Sequence, residues 1–239
     1  HSAHPVHAGR RVSEPFTMRL ALFDLDHTLI PLDSDHAWGE FTVRLGWRDA
    51  DAFRRANDGY YAAYKDGTLD IHDYVRFAID AVRERGLAEG RRAHERFMAE
   101  VIRPAITDGA RALVRRHQEA GDTVIIVTAT NGFVTRPIAQ AFGVDHLIAI
   151  DLETDARGEY TGAIAGVPSF REGKVARVEQ WLADRGLRWP DLAHSTFYSD
   201  SMNDLPLLER VHEPVATNPD QRLATLAQQR GWRILNLFE

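Results

Sequence analysis

Phe23-Asp24-Leu25-Asp26-His27-Thr28-Leu29 follows directly on a run of apolar residues, so that RLALFD (residues 19–24) begins in hydrocarbon and ends in a carboxylate. A short apolar run ending in charge is the pattern of a strand buried on both faces of a parallel sheet, with its chemistry at the carboxyl end. Asp24 and Asp26 stand two residues apart, and in an extended segment such side chains point the same way. One carboxylate can then attack while the other handles protons, the division of labour that phosphoryl transfer through an acyl-phosphate requires. Paired acids also cap helices or hold a metal passively, so the pair takes its meaning from the rest of the chain.

Similar runs recur downstream. DTVIIVT (122–128), LIAID (147–151), TFYS (196–199) and PVA (214–216) are separated mostly by segments of helical character, an alternation that predicts an α/β fold with a parallel sheet. Residues 107–120 read as the helix before the second strand, with Gly121 as its stop. Residues 173–185 and 204–210 read likewise. Between the first two strands, residues 33–103 contain no convincing strand. Trp38, Phe41 and Leu45 fall at helical spacing, as do Tyr60 with Tyr64, Tyr74 with Phe77 and Ala78, and Phe97 with Val101. This predicts a helical insertion of about four helices, a cap over a core built from residues 18–32 and 104–239. The aromatic residues of the insertion read as packing. Its two crossings, near Pro31 and Pro104, are the expected hinges. Residues 1–17 are polar and aperiodic and read as a disordered extension or expression remnant.

Three further stretches carry chemistry. Thr128 ends an apolar strand, and its hydroxyl with the amides of the following turn, Ala129 among them, can hold phosphate oxygens. Threonine is also simply common at strand ends. Lys174 opens a helix after Gly173 and is one of only two lysines, with Lys65, among 29 basic residues. A compact ammonium can bridge a phosphoryl oxygen and an attacking carboxylate as charge builds between them. The alternative is a solvated first-turn lysine. Finally, Tyr198-Ser199-Asp200-Ser201-Met202-Asn203-Asp204 puts acids at another strand end. Asp200 can join Asp24 in holding magnesium, which prefers few carboxylates together with waters and substrate oxygens. Asp204 is placed to position a metal-bound water or to cap the helix.

Composition narrows the classes. The 239 residues suffice for one core plus a smaller insertion, and 44% hydrophobic with 27% charged residues is ordinary for a folded protein. A net charge of −6 offers no dominant positive field for a nucleic-acid backbone. The absence of cysteine excludes disulfides, thiolate metal sites and cysteine nucleophiles. No run is long and apolar enough for a membrane span and no leader is evident, so a cytoplasmic protein with neither nucleic-acid nor membrane partners is expected.

These four strand-end elements, in this order, resemble the haloacid dehalogenase superfamily of phosphohydrolases over the chain from Arg19 onward. With the insertion between the first and second elements, the chain is most similar to the phosphoserine-phosphatase-like branch, subfamily IB. The resemblance implies a three-layer Rossmann-like core with a C1-type cap, a nucleophile at Asp24 and an acid/base at Asp26. It also implies phosphate contacts at Thr128, Ala129, Lys174 and Asn203, and Mg2+ held by Asp24, Asp200 and the carbonyl of Asp26. The implied substrate is a small phosphorylated metabolite, and the protein a monomer or homodimer. Asp26 argues against a dehalogenase, whereas a phosphotransferase would share the covalent intermediate. A non-catalytic binding module of the same fold is the reading from another class. Ala129-Thr130 stands where phosphoserine phosphatases carry a glycine pair. Asp33 or Asp35, and Arg76, fall near the positions that grip the amino acid in that branch. Because some bacterial members look like histidinol-phosphate phosphatases, an amino-alcohol phosphate is the rival substrate.

Overall fold

A computed structural model describes residues 18–238, so the expectation for residues 1–17 lies outside the described residues. At its centre is β1 (Arg19–Phe23), which pairs in parallel with β2 (Thr123–Asn131) on one side and β5 (His194–Ser199) on the other. Leu20 and Leu22 point into one hydrophobic cluster and Ala21 and Phe23 into another, and β2 splits its residues in the same alternating way. A strand that is apolar on both faces must be covered on both, which makes the architecture three-layered.

Between β1 and β2 run four helices: α1 (Ser34–Arg44), α2 (Ala50–Asp66), α3 (Ile71–Arg85) and α4 (Leu87–Phe97). Asp33, Asp49 and Asp70 cap the first three by accepting main-chain N–H groups of the opening turn. A π-helical stretch at Met98–Ile102 and the short α5 (Arg103–Ala105) lead back to α6 (Asp108–Glu119), capped by Thr107. After β2 come α7 (Gly132–Ala141), β3 (His146–Thr154), β4 (Tyr160–Ala165) and α8 (Glu172–Ala183). Then follow β5, the four-residue α9 (Leu205–Leu208), β6 (Glu213–Thr217), α10 (Gln221–Arg230) and β7 (Arg233–Leu235). The sheet order is β4-β3-β2-β1-β5-β6-β7, parallel throughout except for the antiparallel pair β3–β4.

The five strands read from the sequence all form, whereas β4 and β7 went unread. β4 is half-buried and interrupted by Gly162, and β7 has only three residues, so neither shows a sustained apolar period. The insertion is bonded to the sheet layer through shared hydrocarbon: Trp38, Phe41, Ile79, Val82 and Phe97 belong to the same cluster as Phe23, Ile126 and Val134. Only α2 stands largely outside it, with Phe53 as its single buried residue.

Candidate active site

The carboxyl ends of β1, β2 and β5 open on a cavity of about 570 Å³ lying between the sheet and the insertion. Strands 1, 2 and 5 are neighbours, so their terminal side chains converge. Asp24 continues β1 through its N–H bond to the Tyr198 carbonyl at 2.9 Å. The chain then turns sharply, with the N–H groups of Thr28, Leu29 and Ile30 all donating to the Leu25 carbonyl and His27 in the left-handed region at φ 59°. This turn keeps both Asp24 and Asp26 on the cavity wall.

Each carboxylate has its own partners. Asp24 Oδ1 accepts from Lys174 Nζ at 3.1 Å, and its Oδ2 lies 3.3 Å from the Thr28 hydroxyl. Asp26 is held away from them: its Oδ1 accepts the Ser34 N–H at 2.8 Å and its Oδ2 the Thr130 hydroxyl at 2.9 Å. Burial above all, helped by Asp33 and Asp24, lifts the Asp26 carboxyl to about 8, against the pull of the Ser34 hydrogen bond. Near neutral pH it therefore carries a proton, the state needed by a general acid, while the group beside Lys174 is the better placed to attack.

Lys174 is almost fully buried between Asp24 and Asp204, 2.9 Å from the latter's Oδ1. Burial works to strip its proton, and Asp204 and Asp24 more than offset this, so its pKa stands above the ordinary lysine value. Asp204 also accepts the Ser199 hydroxyl at 2.7 Å. It makes no cap hydrogen bond to α9; its side chain is spent on Lys174. Gly173 is required beside that lysine, because a Cβ there would meet the Pro168 carbonyl oxygen at 2.0 Å.

Asp200 comes within hydrogen-bonding reach of Asp24, and the Thr28 hydroxyl donates to its Oδ1 at 3.0 Å. Burial, and then Asp24, push the Asp200 carboxyl far above the carboxylate range. Two carboxyls this close must share either a proton or a cation. Among the described residues no three His, Cys, Asp or Glu side chains form a ready metal cluster. The Asp24 and Asp200 carboxylates nonetheless suit magnesium, which keeps waters and substrate oxygens as its other ligands. The residues thus fit the ion.

For phosphate, the buried Thr128 lies not at the end of β2, as expected, but three residues before it, where the pairing with β3 shifts register, and the Thr130 N–H donates to its hydroxyl at 3.1 Å. Ala129, Thr130 and Asn203 line the same cavity, and the Asn203 amide donates to the Tyr64 hydroxyl of α2. Asp33 and Asp35 also line it. Asp35 is buried, accepts the Tyr74 hydroxyl on Oδ2 at 2.7 Å and has no partner for Oδ1. Arg76 is not brought to the site: it lies on the exposed side of α3, away from the cavity. Two residues along the helix carry the chain from Tyr74, inward, to Arg76, outward, which spacing along the chain did not resolve. Tyr60, Tyr61, Tyr64, Phe170 and Arg171 are lining residues that the sequence reading missed. The signal was present in α2, where Tyr60 and Tyr64 share a face; Tyr60 packs on Tyr74 and Phe77 of α3, and neither tyrosine is fully buried.

A parallel sheet whose strand ends hold an acid pair and a third carboxylate, joined by a buried lysine from the first turn of α8 beneath a helical insertion, defines a phosphohydrolase-type α/β enzyme. Comparison with known proteins agrees. The family described as haloacid dehalogenase-like hydrolase matches residues 21–209, and the chain belongs to that family as an enzyme of phosphatase type, phosphoserine-phosphatase-like in its branch. It is 44% identical to a histidinol-phosphatase of Neisseria meningitidis, over 91% of this chain and 98% of that protein. It is 33% identical to a phosphoserine phosphatase of Mycobacterium tuberculosis, over 90% and 69% respectively. A solved structure of a Bordetella pertussis protein of unknown function superposes with a TM-score of 0.88 at 52% identity, covering 93% of this chain and all of that one. No helix among the described residues is long and apolar enough to cross a membrane.

Proposed function

We propose that this protein is a magnesium-dependent phosphomonoesterase for a small amino-alcohol phosphate, histidinol phosphate first among them, acting through an aspartyl-phosphate on Asp24. The observation that carries the substrate reading is the buried Asp35, which belongs to the cavity lining with Asp33 and whose Oδ1 has no hydrogen-bond partner. A substrate ammonium would satisfy that oxygen. The insertion adds no lysine or arginine to the cavity wall, where Lys174 and Arg171 both come from the sheet-bearing part of the chain. The similarity to a histidinol-phosphatase favours an amino alcohol.

In this reading residues 33–103 act as the cap. Asp24 Oδ attacks phosphorus while Lys174, Thr128 and the amides after it hold the phosphoryl oxygens. Asp26 gives its proton to the departing alkoxide, then takes one from the water that attacks the acyl-phosphate. Magnesium, held by Asp24, Asp200 and the Asp26 carbonyl, would supply positive charge against the carboxylates and the phosphate dianion. Thr130 and the Ser34 N–H fix the orientation of Asp26 during both proton transfers.

Asp26→Asn is expected to cost about 100-fold in kcat on an alkyl phosphate and less than about tenfold on 4-nitrophenyl phosphate, whose leaving group needs no proton. Steady-state kinetics on the two esters checks this, and equal losses would contradict the acid role.

The ammonium contact has a pH signature. Burial and Asp33 raise the Asp35 carboxyl to about 7, against the Tyr74 hydroxyl and Arg48. The group is neutral below that value and anionic above it. KM for an amino-alcohol phosphate should therefore fall as pH rises through 7. Asp35→Asn should raise KM about tenfold, the loss of one charge-assisted contact, and flatten the dependence. A panel of histidinol phosphate, phosphoserine and O-phosphoethanolamine tests the whole reading; preference for phosphoserine would refute it.

A further inference from the structure

Phe170-Arg171-Glu172-Gly173, between β4 and α8, forms a tight turn in which the Gly173 N–H donates to the Phe170 carbonyl at 2.9 Å. Its second residue, Arg171, has φ 54° and ψ −122°. This is the second position of a type II′ turn, which glycine ordinarily occupies because a Cβ is crowded there. An arginine in that position stores strain, and strain of this kind collects where a site depends on it. The turn has no freedom to relax. Ser169, fully buried, donates its hydroxyl to the Thr128 carbonyl at 2.6 Å, and Gly173 abuts Pro168 on the way to Lys174. Shifting Arg171 would therefore disturb both phosphate-binding elements.

Arg171 and Phe170 together line the catalytic cavity. The guanidinium lies over the Phe170 ring at 4.8 Å and makes no hydrogen bond or ion pair among the described residues. The mechanism above does not use it, since the ammonium at the reacting carboxylate belongs to Lys174. Tyr61 of α2, 57% exposed, is also part of the lining, with Lys65 Nζ 4.4 Å from its ring. The result is a flat cation backed by one aromatic ring, with its hydrogen-bond donors unspent among the described residues.

We propose that Phe170 and Arg171 form a stacking platform that selects substrates whose leaving group carries a flat unsaturated ring. That the ring is imidazole rests on the reading in the preceding subsection; the platform itself does not. A guanidinium plane suits this task because it stacks on a π face while its N–H groups can donate to a ring nitrogen. A lysine would keep the charge but lose the plane.

The test uses Arg171→Gly and Arg171→Lys with two pairs of esters: histidinol phosphate against O-phosphoethanolamine, and 2-phenylethyl phosphate against ethyl phosphate. In both variants the ratio of kcat/KM for the ringed ester to that for its ringless partner should fall about tenfold, mainly through KM, the size of one cation–π contact. Arg171→Gly should at the same time melt about 2 °C higher than the parent, because glycine relieves the turn. A merely structural arginine would not produce gain in stability with loss of selectivity. An unchanged ratio in either pair whose ringed ester the parent hydrolyses would overturn the platform. So would equal losses on ringless esters with weaker inhibition by inorganic phosphate, which would make Arg171 a phosphoryl ligand, or a loss specific to phosphoserine, which would make it a carboxylate partner. If the parent ignores histidinol phosphate but the phenylethyl and ethyl pair responds as described, the substrate reading fails and the platform stands.

Discussion

Asp24→Asn is expected to lower turnover by more than about a thousandfold while the protein stays folded. The factor corresponds to roughly 4 kcal/mol of lost transition-state stabilisation. An amide has nearly the size of the carboxylate but is a poor nucleophile, so the covalent step is what disappears. Folding should survive because the buried Lys174 keeps Asp204 at 2.9 Å as a second partner, and Thr28 can still donate to the new carbonyl oxygen. The measurements are kcat on the best ester of the panel and the melting temperature. Activity within tenfold of the parent would end the aspartyl-phosphate mechanism, provided that the introduced amide has not deamidated back to the carboxylate.

The core of this site was legible because its signals are local. Asp24, Thr128 and Asp200 each follow an apolar run with the two-residue period or full burial of a central strand, and neighbouring parallel strands bring such ends together wherever they lie in the chain. Lys174 was legible for another reason: the chain uses arginine almost everywhere else. The insertion was legible only as helices. Which face of each helix turns to the cavity depends on packing against elements remote in sequence, so Arg76 was expected at the site and Tyr74 was not. The same limit hid the role of β4. Its hairpin with β3 docks the insertion: Glu159 accepts the Leu87 N–H at 2.8 Å, and the Arg83 guanidinium packs on Gly162.

That docking bears on movement as well. Pro31 and Pro104 mark the crossings, and a rigid swing of all four helices about them would pull Trp38, Ile79 and Phe97 out of a cluster shared with Phe23. Exposing three such side chains costs several kcal/mol. α2 shares less hydrocarbon with the sheet: Phe53 is its single buried residue, and the helix is tied to α1 and α3 by the Arg54–Glu40 ion pair and by Phe53 and Tyr60 against Phe77, and to Asn203 through Tyr64. Access to the cavity is therefore cheapest through α2, the helix that also supplies Asn57, Tyr60, Tyr61 and Tyr64 to its wall.

Removal of divalent cations should be as damaging as loss of the nucleophile. Asp24, Asp26, Asp200 and Asp204 converge on one cavity that Lys174 alone offsets closely, and a phosphate dianion must enter the same space. In a partly dehydrated site such repulsion is weakly screened. Without a cation Asp200 keeps its proton, lifted by burial and by Asp24. Binding magnesium must displace that proton. Three results are then expected together: a chelator lowers turnover by more than about a thousandfold, magnesium restores it, and the magnesium concentration needed for half-activation falls as pH rises. Asp200→Ala should raise that concentration at least about tenfold at neutral pH and abolish most of its pH dependence, because the proton competing with the ion has been removed along with the ligand. Calorimetric melting of the parent gives a readout independent of turnover: its melting temperature should climb with added magnesium, by mass action on the folded state, and that of Asp200→Ala should not. An Asp200→Ala protein that is activated and stabilised by magnesium as the parent is would place the ion elsewhere in the molecule.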